Sequence, residues 1–399
     1  MKKICLMLVL CLLLAVCSAA TGETTDAAAL LDQAEAAMAA ENYEELVSLL
    51  QQAADLGDDK AMLMLGNCYG EGRGVEMNFE EAVKYYRMAA EKGNVSAKYN
   101  LAFCYVDGTG VEPDAEKAEE LLKDCADQGD VASQYALGYC YFYGHGTRQD
   151  YEAAVKYLMM AADQETIEAY YLLGISSEYG LGVEQSFQKA LEYYRAGAEQ
   201  GNDYCQNRMG VFYQLGTGVE QNYEKAFEYY SLAADQFNPE ALTAVGFLYG
   251  QGLGTEQDLE KMLEYYRLGV DAGEPMAMFN LGCCYRDATG VEQDFNEMLK
   301  YFQMAVEAGN RDAQFNLGFA YYTGDEGVAQ DYDEAFRLYR LAADQGFPVA
   351  LFAVGDCYYL GHGAEQNKET AAEWYQKALD AGYTPDAEDQ KHIDDAMGK

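Results

Sequence analysis

Proline, tryptophan and histidine are scarce in this chain: five, one and three in 399 residues. Half of the residues are hydrophobic, and so little proline beside them excludes long disordered tracts and suits a folded, mostly helical chain. Positive charge is also scarce. Twenty-seven Lys and Arg stand against 67 Asp and Glu, for a formal net charge of -40. A surface of that sign repels phosphate, so no nucleic acid and no anionic membrane surface is expected as a partner. Long apolar runs are missing apart from one near the start.

That run, Ile4 to Val16, is shorter than the ~20 residues a spanning helix needs, so no integral membrane span is predicted. Lys2 and Lys3 precede it and Ser18-Ala19-Ala20 follow it. Together they compose a secretory signal peptide, predicted over residues 1–20. The ending "LAVC" also has the outline of a lipoprotein box, but Val16 fits poorly there, and a lipid anchor at Cys17 is the less favoured alternative. The expected location is exported: periplasmic, cell-surface or secreted.

What is abundant is periodic. "LG" recurs at Leu65, Leu137, Leu173, Leu281 and Leu317, always at multiples of 36. A glycine track runs through Gly66, Gly138, Gly174, Gly210, Gly246, Gly282, Gly318 and Gly355, with Ala102 in the one gap. Each copy reads as a helical hairpin. A first helix, helix A, ends in a "GxGV" loop such as Gly72 to Val75, where glycine can close a helix in the left-handed region. A second, helix B, starts at an N-cap track: Asn78, Asp114, Asp150, Ser186, Asn222, Asp258, Asp294, Asp331 and Asn367. Nine copies fit residues 58–382; residues 21–57 are predicted as linker and capping hairpin, and 383–399 as a closing helix starting near Thr384-Pro385. The fold class expected is all-α.

The pattern A-x-x-x-L-G-x-x-Y-x-x-G-x-G-V-x-x-[DN]-[YF]-x-K-A-x-x-Y-Y-x-x-A-A-x-x-G resembles the Sel-1-like repeat family, relatives of tetratricopeptide repeats. The resemblance implies a right-handed α-solenoid of helix-turn-helix repeats. It also implies an adaptor or scaffold for a protein or peptide partner, in some bacterial members a secreted one. It carries over no catalytic residue and no cofactor.

Two C-x4-H pairs, Cys140 with His145 and Cys357 with His362, invite a metal reading. The repeat dissolves it. Cys68, Cys104, Cys140, Cys284 and Cys357 share one slot in helix A, and both histidines fill the free position of a GxG loop. Six hairpins apart, with roughly 10 Å between packed helices, the pairs cannot meet on one ion. Disulfides are also not expected among the eight cysteines after residue 20. Same-slot cysteines lie too far apart, and folding the hairpin about Gly110 sets Cys104 opposite residue 117 and not Cys125. The cysteine-rich branch of the resembled family pairs a helix B cysteine with one eight residues on, where this chain has Ser133.

"SFQK" at Ser186 to Lys189 matches the S-x-x-K motif of penicillin-interacting enzymes, and β-lactam binding has been claimed within that branch. A β-lactam-interacting hydrolase is therefore the alternative. Against it, Ser186 occupies the N-cap slot, and no K-T-G or S-D-N accompanies it. Carboxylate pairs such as Glu80-Glu81 lie at helix starts, where they complement the helix dipole.

By analogy with tetratricopeptide arrays, helix A lines the binding groove. Positions three before and one after the track glycine would face it: Tyr99, Tyr135, Tyr171, Phe279, Phe315 and Phe352, then Phe103, Tyr139, Phe247 and Phe319. Asn100, Asn280 and Asn316 sit beside them. Such a ribbon would hold an extended segment by aromatic anchors and amide hydrogen bonds. The bland reading is that the rings pack helix A against its neighbours. The tyrosines of the Cys-Tyr slot, such as Tyr105 and Tyr141, are assigned to the core.

Overall fold

The structure, a computed structural model, describes residues 22–325 and 327–398. The predicted signal and Cys17 lie outside the described residues. Among the described residues there are 21 helices and no strand. The chain opens with α1 (Gly22–Ala39) and α2 (Tyr43–Asp55). Pairs of helix A and helix B follow: α3 (Asp59–Glu71) with α4 (Phe79–Glu91), α5 (Val95–Asp107) with α6 (Ala115–Asp127), and α7 (Val131–Tyr143) with α8 (Tyr151–Ala162). Next come α9 (Ile167–Tyr179) with α10 (Phe187–Glu199), α11 (Asp203–Leu215) with α12 (Tyr223–Ala234), and α13 (Pro239–Gln251) with α14 (Leu259–Asp271). The last pairs are α15 (Pro275–Asp287) with α16 (Phe295–Glu307), α17 (Arg311–Thr323) with α18 (Tyr332–Asp344), and α19 (Pro348–Leu360) with α20 (Lys368–Asp380). Helix α21 (Ala387–Met397) ends the chain. Its N-cap is Asp386, two residues past the expected Thr384-Pro385 start, because Asp386 and Asp389 form a reciprocal capping box.

Stacked helix pairs make this an α-solenoid, organised as two compact units. Residues up to 176 with 180–184 form the first unit; 177–179 with 185 onward form the second. The segment 177–179 carries Glu178, which accepts a hydrogen bond from Tyr194 Oη at 2.7 Å and pairs with Arg208, both in the second unit.

All nine predicted N-caps hold. Each side chain accepts a backbone N–H of the first turn of its helix B, as Asn78 does from Glu80 and Glu81 at 3.1 Å. The first loop residue closes helix A in the left-handed region in every repeat, by glycine except at Ala288, whose φ is 56°. A glutamine track just before the N-cap escaped the sequence reading. Gln149, Gln185, Gln221, Gln257, Gln293, Gln330 and Gln366 each donate Nε2 to a carbonyl near the end of the preceding helix A, at 2.8–2.9 Å. They satisfy acceptors that a helix end otherwise leaves free.

The glycine track has a packing cause. A methyl group added at Gly66 would lie 2.6 Å from Tyr86 Cε1, at Gly210 2.6 Å from Tyr230 Cδ1, and at Gly282 2.5 Å from Phe302 Cδ1. At these positions helix B seats a buried ring directly on the bare backbone of helix A; at Gly138 the side chain seated there is Leu158, with Cγ 2.7 Å from an added methyl group. Where alanine stands in the track, at Ala102, the corresponding helix B residue is Leu122. The slot tyrosines stack on a helix B tyrosine one position before the side chain seated on the track glycine: Tyr69 on Tyr85 at 5.6 Å, Tyr141 on Tyr157 at 6.1 Å, Tyr213 on Tyr229 at 5.7 Å. Many of the 35 tyrosines thus serve the same few contacts, repeated copy after copy.

Candidate protein-binding face

Helix A presents its half-buried rings differently in the two units. In the first unit, Tyr99 and Phe103 lie one turn apart on α5 with ring centroids at 4.9 Å. On α7, Tyr135 and Tyr139 stand 6.3 Å apart, and Tyr139 and Tyr143 4.6 Å. These contacts are ring on ring along one helix. Tyr135 and Tyr139 are half-buried and Tyr143 is 50% exposed. Tyr171 on α9 is half-buried. Burial, then the nearby Glu168, holds the Tyr135 phenol well above its ordinary pKa, so it stays neutral near pH 7. Asn100 is already engaged: its Nδ2 donates to Asn67 Oδ1 at 3.2 Å, the same oxygen that takes Tyr86 Oη at 2.8 Å.

In the second unit the equivalent rings lean on helix B rings, Phe279 and Phe315 half-buried and Phe352 buried. Phe279 stacks on Phe302 at 5.4 Å. Phe315 packs on Tyr339 at 5.5 Å and edge-on against Phe347 at 5.7 Å. Phe352 is buried, with Tyr383 stacked on it at 4.6 Å and Tyr375 at 5.1 Å. The expectation that Phe352 faces a groove is corrected here: Tyr383, from the segment after α20, covers its ring, as Phe347 flanks Phe315 one repeat earlier. Phe247 and Phe319 remain open, Phe319 at 52%. Asn316 accepts from Arg286 Nη1 at 3.2 Å and donates to the Asp312 carbonyl at 2.8 Å; Asn280 is half-buried on α15. Sequence reasoning missed Tyr143, which its spacing of four from Tyr139 could have added to the ladder.

The sharper chemical motifs resolve into structure. Cys140 is buried, and burial pushes its thiol up to about 12, while His145 is exposed with Nε2 3.4 Å from Asp107. Cys357 is buried, and His362 Nδ1 meets Tyr322 Oη at 2.9 Å with its ring stacked 4.1 Å from Tyr332. Among the described residues the eight cysteines form no disulfide. Among the described residues no three His, Cys, Asp or Glu side chains converge as metal ligands would, and no helix is long and apolar enough to cross a membrane. Ser186 Oγ accepts the Lys189 backbone N–H at 3.3 Å, the work of an N-cap.

Ten segments match the Sel1 repeat: 42–58, 59–94, 95–130, 131–165, 167–202, 203–236, 239–274, 275–310, 311–347 and 348–383. The chain belongs to the Sel1 repeat family. A similar solved structure is c5321, a protective antigen present in uropathogenic Escherichia coli strains displaying an SLR fold. It is 28% identical, with 94% of this chain and 84% of that chain covered and a TM-score of 0.69. A Sel1 repeat protein from Oxalobacter formigenes is 27% identical over 78% of this chain and 89% of that chain, with a TM-score of 0.56. A comparison with curated proteins finds no match. Sel1 and tetratricopeptide-like repeat proteins are generally non-catalytic scaffolds, consistent with protein–protein interaction for this Sel1 solenoid.

Proposed function

We propose that the chain is an exported, non-enzymatic scaffold that holds a protein or peptide partner on its helix A face, chiefly through the ring ladder of α5 and α7. The observation that carries this reading is that Tyr99 and Phe103 on α5, and Tyr135, Tyr139 and Tyr143 on α7, meet as tilted rings along their own helix, whereas Phe279, Phe315 and Phe352 pack on helix B rings. Half-buried, mutually braced aromatics offer large contact area at small entropic cost, which is the composition of interface hot spots.

Affinity capture from the native surroundings tests it, with the wild-type chain and the Tyr135→Leu/Tyr139→Leu variant run in parallel. A partner retained by the first and lost by the second, with the helical circular dichroism unchanged, is the expected result. Equal capture by both would sink the reading. Export is supported by the basic, apolar and small-residue order of residues 2–20, and the Escherichia coli relative's description as a protective antigen accords with it. N-terminal sequencing of protein from the envelope or medium is expected to begin near Thr21. An intact Met1 on protein in the cytoplasm contradicts export, and a lipid on Cys17 would mean anchoring.

A further inference from the structure

We propose that the ring ladder on α5 and α7 receives an arginine-bearing segment of a partner protein, its guanidinium groups lying over Tyr99, Phe103, Tyr135 and Tyr139. This deepens the scaffold reading and rests on it.

The chain shows elsewhere how a cation settles on its tyrosines. In the first unit, Lys84 Nζ lies 5.1 Å from the Tyr85 ring centroid, Lys117 Nζ 5.4 Å from Tyr105 and Lys156 Nζ 4.6 Å from Tyr157. The second unit repeats this with Lys225 over Tyr213 at 5.0 Å, Lys261 over Tyr249 at 4.9 Å and Lys300 over Tyr301 at 4.7 Å. These lysines come from helix B. The ladder rings lie on helix A, and among the described residues no cation stands over Tyr99, Phe103, Tyr135 or Tyr139. The nearest in sequence, Lys98, is turned away into an ion pair with Asp124.

The field around the ladder is negative. Asp107 at the end of α5 and Glu168 on α9 are exposed carboxylates, and Asp130 precedes α7. Glu168 helps to hold the Tyr135 phenol up, and Asp130 adds to the same effect on Tyr99 after burial and the nearby Cys140. Neutral phenol rings with electron-rich faces, set among carboxylates, attract a cation at both levels. Arginine suits the place better than lysine, because its planar, weakly hydrated guanidinium stacks on an aromatic face while its N–H groups reach a carboxylate.

The test is fluorescence anisotropy with the full mature chain and a labelled peptide of alternating glycine and arginine. Lysine, citrulline and leucine versions serve as comparisons. Citrulline keeps the planar shape and removes the charge. Arginine is expected to bind tightest and citrulline at least about tenfold more weakly. Tyr135→Leu/Tyr139→Leu is expected to weaken the arginine peptide roughly three- to tenfold. Asp107→Asn/Glu168→Gln, which alters only exposed groups, should do the same. Glu80→Gln/Glu116→Gln, at helix B starts, should leave affinity unchanged. Arginine binding that falls equally with the helix B pair, or ignores the ring variant, is general charge attraction and overturns the proposal. If native partner capture depends on the ladder but citrulline or leucine peptides bind as well as arginine, the scaffold reading stands and this proposal falls. If neither capture nor any peptide depends on the ladder, both fall.

Discussion

The contact between the glycine track and the helix B ring can be broken and partly mended in one experiment. At Gly282 an added methyl group would sit 2.5 Å from Phe302 Cδ1 and 2.7 Å from Cε1, well inside contact distance. Phe302 has nowhere to go, since it is fully buried and stacked on Phe279. Gly282→Ala therefore forces α15 and α16 apart, and overpacking of this kind costs about 1–3 kcal/mol. The gain in helix propensity on replacing glycine offsets about 1 kcal/mol, which leaves a net loss of about 0–2 kcal/mol. Phe302→Leu alone removes part of a buried ring and costs about 1–2 kcal/mol through the cavity it leaves. Combined, the two changes recreate the alanine–leucine pairing of Ala102 and Leu122. The Ala102–Leu122 pair shows that a repeat can accommodate a methyl group against leucine, so the double variant is expected to be more stable than the sum of the two losses by about 1 kcal/mol. Urea melts of the wild type, both single variants and the double variant measure this coupling. Losses that add to within ~0.5 kcal/mol would show that the glycine is not there for the ring.

Tyr139→Ala and Tyr141→Ala should separate on the same melts. Tyr141 is buried, stacked on Tyr157 and donates to Glu119 at 2.7 Å, so its loss is expected to cost about 3–5 kcal/mol, and that of Tyr139 less than half as much. Equal losses would make the ladder packing and send the search for a binding site to the loops. Ala288→Gly relieves the non-glycine left-handed helix end and is expected to stabilise by about 0.5–1 kcal/mol, read as a rise in Tm; an unchanged or lower Tm refutes the strain. Glu274 caps α15 where burial raises its carboxyl above the ordinary 4.5. An acid with a raised folded pKa binds its proton more tightly when folded, so the ionised form weakens the fold above that pKa and the loss disappears as pH falls below about 4.5. Glu274→Asn, the residue used at Asn94, Asn202, Asn238 and Asn310, should raise Tm at pH 7, with the gap closing toward pH 4; a gap constant with pH would refute the assignment.

Period and local chemistry determined the hairpins. A cap acceptor, a left-handed loop glycine and a helical apolar pattern act over a few residues, so nine N-caps and the helix pairs were legible without coordinates. The glutamine track was equally visible at its spacing, and only its bond to the preceding carbonyl needed the structure. What sequence left undecided was the direction of each helix A ring. Tyr135 and Phe315 occupy the same slot in their repeats, yet one meets Tyr139 along its own helix and the other lies between Tyr339 and Phe347. That choice depends on side chains far away in sequence: whether a ring such as Phe347 or Tyr383 arrives from the next turn to cover it, and whether helix B offers a face to lean on. Helical period places a residue on a face; only the neighbours that pack there decide whether the face is core or surface.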